Sequence, residues 1–551
     1  MVSFAQLRDA KLEPLSDAVT AWTNLVKKLE SAEDDYRDKL LKPLRDSRWR
    51  GKAASAALRT LIPFTQYFRV SATEASAIAS VLHFGHRQFA AAQRKLKGAI
   101  EEASGLRLSV GEDGSVRLPP MDPSSAKNPE SVKYWDRLKF QAGQIHGQLA
   151  AAVKEATEAD QRISQALGRL GAEILDRPNS GVDAAADARM AAKLAGFDKN
   201  NIPPKGVDTP KEAAAWWKGL PEEQRHLMMN AFPEKIGWLN GIPSEDRDEA
   251  NRVGLANRVA ELETKKDQGH IYPHEYRELR RLETMRFQLG RLDEAGKDPY
   301  LLGLDTRVTT TDGRAIVAIG NPDNAKHTGV LVPGITNDID NFGTTLDRAD
   351  RLSAQANQYA PGEVSTIAWL GYDAPGDHTG LPGHPGAFSY AEQGAPALSQ
   401  TVDGIRQAQS DAGLNNGHIT AIGHSYGSVV VGEAATRGGL HVNDIVTAGS
   451  PGVHASHASE LNVGADHVWA ARGSGDFVPS LGPFAHGGDW GVVPSDPNFG
   501  ANAMRTDTAG HGEYWNYRPG THEASESLAN QARVIAGRYD DVTRAGGTLA
   551  K

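Results

Sequence analysis

The stretch that most constrains this chain is Gly423-His424-Ser425-Tyr426-Gly427. Before it runs His418-Ile419-Thr420-Ala421-Ile422, apolar and β-branched enough for a buried strand. After it, Ser428 to Thr436 reads as the start of a helix through Val429, Val430, Ala434 and Ala435. Strand, glycine-flanked turn and helix are the context that a G-x-S-x-G elbow requires. A serine at the tip of so tight a turn takes a strained backbone conformation, and side chains at Gly423 or Gly427 would collide with neighbouring backbone. The five residues alone are a weak signal, equally compatible with a plain glycine-rich turn. Their flanks make Ser425 a candidate nucleophile.

A lone serine needs a base, and the base needs an orienting acid. In α/β-hydrolases these follow in the chain order Ser, Asp/Glu, His. Asp444 to Gly449 reads as the next strand, and His467 to Ala471 as another, running into Arg472-Gly473-Ser474-Gly475-Asp476. Asp476 thus falls in a glycine-rich loop past a strand end, where the acid belongs. Asp466, Asp489, Asp496 and Asp507 compete, although Asp466 precedes its strand and so sits at the wrong end. Ala503 to Thr506 reads as a last short strand, followed by Ala509-Gly510-His511-Gly512. His511 is the expected base; His454, His457, His486 and His522 read as solvated surface imidazoles.

The runs Val332-Pro333-Gly334, Trp369-Leu370-Gly371-Tyr372-Asp373-Ala374-Pro375, Gly423 to Ser428 and His511-x-x-Tyr514 together resemble the actinobacterial DUF1023 α/β-hydrolase family. The likeness covers roughly Asp305 to the end of the chain. It implies a serine hydrolase fold with a Ser/Asp/His triad and leaves the substrate class poorly defined.

Glycine usage locates the change of architecture: 20 of the 57 glycines fall in residues 1–300 and 37 in 301–551. The expected fold class is therefore α/β, an α/β-hydrolase domain with a mostly parallel sheet flanked by helices, preceded by an all-α region. The expected segments are a helical hairpin with a small β-hairpin at 1–118, a helical connecting region at 119–300 and the catalytic domain at 301–551. At 551 residues the chain exceeds one hydrophobic core. A net charge of -9, spread along the chain, argues against nucleic acid as a partner. With no cysteine there is no disulfide, thiolate metal site or Cys nucleophile. Met1 to Ala10 lacks a basic-then-apolar signal region, and no apolar run approaches the roughly 20 residues of a membrane span. The expectation is a soluble protein without a transmembrane segment, cytoplasmic or exported without a cleavable signal peptide.

In the N-terminal region Val19, Trp22, Val26 and Leu29 fall on one helix face. A second helix is expected from Lys52, after Trp49-Arg50-Gly51. Helix, Trp-x-Gly turn and helix resemble the WXG100 hairpins of type VII secretion substrates, which implies a type VII secretion-type partner for the N-terminus. The alternative is a helical hairpin with an aromatic corner and no export role. Leu106 to Val110 and Val116 to Leu118 read as a hairpin, and about Pro129 to Leu175 as a long helix carrying Leu138, Ile145, Leu149 and Val153. Trp216 to Arg252 is too apolar for a free linker and is expected to dock on the hydrolase domain. Glu261 to Arg291 reads as a charged helical run with a solvated face.

In the catalytic half, Arg307 to Thr311 and Arg314 to Ile319 flank Asp312-Gly313, a two-residue hairpin signal. The strand Thr328 to Val332 leads into Pro333-Gly334-Ile335-Thr336, the loop that supplies one oxyanion-hole N–H in this fold. Pro333 has no N–H, so Ile335 is the candidate donor, beside Tyr426. Gly334, Tyr372, Asp373 and His424 are the candidate substrate-binding residues; Asp373 either shapes the site or caps the next turn. No phosphate-binding or zinc-binding motif is present, and neither metal nor organic cofactor is expected. The residues thus point to an esterase- or lipase-like serine hydrolase acting on a small carboxylic ester or lipid-like ester. The alternatives are a secretion or interaction module with an inactive hydrolase domain, and an amidase or peptidase of the same fold.

Overall fold

The computed structural model describes residues 2–41, 43–44, 52–61, 63–121, 128–173, 181–306, 313–376, 389–481 and 492–546. The chain divides into two compact units, Met1–Asn200 with Pro221–Ala231, and Asn201–Leu220 with Phe232–Lys551. The second unit thus begins well before the expected change near residue 300.

The first unit is built on long helices, α1 (Glu13–Tyr36), α2 (Pro63–Gly105) and α3 (Pro129–Glu173). In α3, Leu138, Ala142, Ile145, Leu149 and Ala152 recur every three or four residues and pack on Leu96, Ala99 and Ala103 of α2. That spacing is one apolar stripe of a 3.6-residue helix. Val26 of α1 is buried, with Val19, Trp22 and Leu29 half-buried on the same face. Ser109–Val110 pairs antiparallel with Val116–Arg117 in the small hairpin expected there. The Trp49-Arg50-Gly51 corner lies outside the described residues, as does the strand expected at Arg307 to Thr311.

In the second unit α4 (Ser244–Asp267) and α5 (Pro273–Glu294) precede the sheet. The single charged run expected here is two helices, because Gly269 takes φ +71° after α4 and Pro273 starts α5. Its face is not simply solvated. Leu262, Leu279, Leu282 and Met285 join the core, and Glu278 is buried against Arg258 at 2.7 Å.

Among the described residues eight strands follow: β1 (Pro299–Asp305), β2 (Arg314–Ile319), β3 (His327–Val332), β4 (Val364–Leu370), β5 (His418–His424), β6 (Asp444–Ala448), β7 (Val468–Ala471) and β8 (Asn502–Met504). Their spatial order is β8-β7-β6-β5-β3-β4-β2-β1. β1 and β2 are antiparallel at one edge, and β3 to β8 are parallel. The central strands are apolar throughout because helices cover both faces. On one side α6 (Phe342–Tyr359) packs with α9 (Glu526–Ile535), on the other α7 (Ser389–Asp411) with α8 (Tyr426–Thr436).

The edge strand explains why the unit begins early. Trp238 Nε1 donates to Leu304 O at 3.2 Å, Arg247 Nη2 to Leu302 O at 2.6 Å, and Asn251 Nδ2 to Leu301 O at 2.8 Å. Leu301 N in turn donates to Asp248 Oδ1 at 2.6 Å. Side chains from 238–251 thus take up the hydrogen-bonding groups of β1, which an uncovered edge would offer to another chain. Of the docking expected for Trp216 to Arg252, this part is present at 238–251, whereas Pro221–Ala231 belongs to the first unit.

Candidate active site

β5 runs into a residue that its backbone alone marks out. Ser425 takes φ +52° and ψ -127° between β5 and α8. A non-glycine residue in such a conformation stores roughly 1–3 kcal/mol and persists only where its surroundings impose it. Here they do. A Cβ on Gly423 would lie 2.4 Å from Ser428 Cα, and one on Gly427 2.2 Å from Val332 O. Ser425 N donates to Ala448 O at 3.0 Å, and buried Ser428 Oγ donates to Ser425 O at 2.6 Å. The turn is clamped on both sides.

The loops after β7 and β8 bring in an acid and an imidazole. Asp476 is 4% exposed, and its Oδ2 accepts from His511 Nδ1 at 2.8 Å. The same oxygen accepts from the hydroxyl of fully buried Tyr514 at 2.6 Å, and Oδ1 accepts from Val478 N at 3.0 Å. Burial opposes ionisation of this carboxyl, but the bonds from His511 and Tyr514 outweigh it and hold its pKa below the usual range. Gly449, just after β6, joins this pair to the elbow. A Cβ there would stand 2.6 Å from Asp476 Oδ2 and 2.9 Å from His511 Nδ1, and the preceding carbonyl is the one that binds Ser425 N. No hydrogen bond within 3.5 Å joins Ser425 Oγ to His511 among the described residues; such bonds are often long in unliganded sites.

The loop after β3 lies against the serine. A Cβ on Gly334 would be 2.7 Å from Ser425 Cβ, so only glycine permits this approach. Asn337 Nδ2 donates to Gly334 O and Ile335 O, both at 3.0 Å. In a trans peptide the Ile335 N–H points opposite to the Gly334 carbonyl and hence away from Asn337. That N–H has no hydrogen-bond partner among the described residues. Tyr426 is the first residue of α8. Asn337, not singled out in the sequence, therefore fixes the loop; an asparagine three residues past Gly334 was the available signal.

Three expected substrate contacts have partners within the protein. Tyr372 is buried, stacks on Trp369 at 5.9 Å and donates its hydroxyl to Pro333 O at 2.8 Å, holding the loop before Gly334 from behind. Asp373 is partly exposed, 3.9 Å from Arg314. His424 is 6% exposed: Nε2 lies 2.8 Å from His511 O, and Arg348 Nη1 lies 3.5 Å from Nδ1. A carbonyl only accepts and a guanidinium only donates, so His424 is neutral with its proton on Nε2. Burial first, then the nearby charges of Arg348 and His511, push its pKa down to about 3. Both ring nitrogens are engaged, which leaves His424 a support rather than a substrate ligand. Arg348 also stacks over Trp515 at 4.8 Å and donates to Gly512 O at 3.4 Å.

The competing residues serve elsewhere. His454 pairs with Glu433 at 2.8 Å, and His457 and His522 are exposed. Asp496 accepts from Val493 N and Asp507 from Glu526 N, while Asp489 and His486 lie outside the described residues. A second buried cluster joins Asp444 to His418 at 2.7 Å, with Tyr539 and Trp469 as further donors. It opens β6 level with Thr420, whereas Ser425 lies beyond the other end of β5, about 17 Å further at strand rise. A cavity of about 360 Å³ lined by His327, Tyr359, Glu363 and Arg538 also lies at those strand starts, away from Ser425.

Residues 309–486 match the family described as "Alpha/beta hydrolase", and residues 5–99 match the "PPE family". The first match contains Ser425 and Asp476 and stops before His511. Among similar proteins, the uncharacterized protein Rv2079 of Mycobacterium tuberculosis is 31% identical over 395 residues, 64% of this chain and 58% of that one. The uncharacterized protein Mb0988c of Mycobacterium bovis is 33% identical over 204 residues, 36% of this chain and 73% of that one. The chain thus spans 58% of the length of the longer relative. Among solved structures, a thermostable carboxyl esterase from Bacillus coagulans matches at 13% identity over 30% of this chain and 47% of that one, with a TM-score of 0.18. Among the described residues no helix is long and apolar enough to cross a membrane. With its elbow, parallel sheet and mycobacterial relatives, the chain belongs to the α/β-hydrolase family and carries a PPE-family region at its N-terminus.

Proposed function

We propose that the C-terminal unit is a serine hydrolase of carboxylic esters, lipid-like esters included. Ser425 Oγ attacks the ester carbonyl while His511 takes its proton. Asp476 holds His511 Nδ1–H and stabilises the imidazolium, and the N–H groups of Ile335 and Tyr426 receive the developing oxyanion. The tetrahedral intermediate collapses as His511 returns the proton to the leaving alcohol. Water, activated by the same imidazole, then hydrolyses the acyl-enzyme and regenerates Ser425.

The observation that carries this reading is the meeting at Gly449 of a strained serine and a buried aspartate paired with a half-buried His511. Backbone strain at a non-glycine residue calls for a functional reason, and a base beside it supplies one. Fluorophosphonate labelling with peptide mapping tests the reading, and a panel of matched esters and amides tests ester preference. The PPE-family match supports a second role, contact of the N-terminal helices with a secretion-type protein partner. A chain begun at Asn201, which keeps the second unit whole, should then lose export while retaining ester turnover.

A further inference from the structure

Resting on the serine-hydrolase reading, we propose that Tyr514 is a positioning residue that tunes the base. Its phenol competes with His511 for one oxygen of Asp476 and so sets the pH at which turnover fails on the acid side.

The geometry is specific. Asp476 Oδ2 receives Tyr514 O–H at 2.6 Å and His511 Nδ1–H at 2.8 Å, whereas among the described residues Oδ1 receives only the backbone N–H of Val478 at 3.0 Å. A simple spacer would not need the oxygen that the imidazole uses. The phenol is oriented from behind, because its oxygen accepts from Gly473 N at 2.8 Å. With that contact made, its single proton goes to the carboxylate, which is acceptor-only when ionised. Donation by the backbone also strengthens the phenol as a donor in turn. Tyr514 is fully buried, so water does not replace this contact. The loop carrying Gly473 is tied to the one leading to His511 through Gly475 N and Ala509 O at 3.1 Å. Of the other titratable and charged groups around this pair, Arg472 lies on the Tyr514 side, and Arg348, His424 and Glu513 lie on the His511 side; none of them bonds Asp476 Oδ2 among the described residues.

The consequence has a sign. Charge on Oδ2 that is neutralised by Tyr514 is less available to the imidazolium. Without the phenol, Asp476 holds the imidazolium more strongly, and the inactive protonated enzyme persists to higher pH. With a more acidic phenol the reverse holds.

The test is the pH profile of kcat/KM for a p-nitrophenyl ester, measured on the full chain. Tyr514→Phe should move the acid limb to higher pH by roughly half a unit or more. Replacing Tyr514 with 3-fluorotyrosine preserves shape and provides a stronger donor, so it should move the limb to lower pH. A purely structural tyrosine predicts an unmoved limb, with kcat/KM lowered equally at every pH. An unmoved limb in the fluorotyrosine protein, or a downward shift in Tyr514→Phe, overturns the proposal. Failure of the wild-type chain to label at Ser425 with a fluorophosphonate overturns the hydrolase reading itself, and this proposal with it.

Discussion

His424 Nε2 donates to the main-chain carbonyl of His511 at 2.8 Å, so the residue before the candidate nucleophile holds the loop of the candidate base. Arg348 of α6 closes the arrangement from the other side through His424 Nδ1 and Gly512 O. Serine and imidazole are thereby set relative to one another by a buried ring, even without a direct bond between them.

His424→Phe keeps a ring of similar size but removes the donor. It should lower kcat by about 10- to 100-fold with little change in KM, the scale expected of a catalytic group misplaced by an ångström. His424→Gln, which can still donate to the carbonyl, should recover part of the loss. A change in KM alone, with kcat intact, would return His424 to the substrate-binding role.

The same ring makes stability depend on pH. The His424 pKa falls from 6.5 to about 3 on folding, so between those values the unfolded chain binds the proton and the native chain does not. This contribution is fully present above pH 6.5 and is lost as pH falls towards 3, by up to about 1.4 kcal/mol per unit. Denaturant titrations from pH 7 to 4 should show the wild-type slope flattened in His424→Gln. An unchanged slope means that this imidazole is not buried neutral.

Much of the fold was legible in the sequence because its signals are local. The glycine-flanked elbow, the apolar parallel strands and the α3 stripe each follow from neighbours along the chain. The early start of the hydrolase unit was not, because Pro299–Asp305 becomes a strand only against β2 and beneath Arg247 and Asn251. Asp476 and His511 could be placed at strand ends by topology. The duties of His424, Tyr372 and Asn337 could not, since each bonds a backbone group whose position only the folded chain defines.

Asp476→Asn should leave the fold intact and lower turnover by about four orders of magnitude, because an amide favours the wrong imidazole tautomer. Asp489→Asn serves as the comparison. Equal activity of Asp476→Asn and wild type would remove Asp476 from the relay.

The edge contacts make a stability prediction independent of catalysis. Arg247 is 2% exposed, its pKa is pulled down to about 10 by burial, and it donates to Gly237 O and Leu302 O. Arg247→Ala strands the Leu302 carbonyl, while Gly237 O keeps Asn251 Nδ2 at 2.9 Å, and it opens a cavity; it should cost about 2–4 kcal/mol in equilibrium unfolding. Activity per folded molecule should be unchanged. A chain begun at Leu301 lacks Trp238, Arg247 and Asn251 and cuts into β1, so it should aggregate on expression. Wild-type stability in Arg247→Ala would show that the edge is held by other contacts.

The central claim is that Ser425 is a nucleophile activated by the Asp476–His511 pair. Its most direct test is fluorophosphonate labelling of the full chain, with the modified peptide identified by mass spectrometry. One adduct per chain at Ser425 is predicted, together with loss of both labelling and ester turnover in Ser425→Ala. Labelling at another serine, or an alanine variant that turns over ester at the wild-type rate, would contradict it.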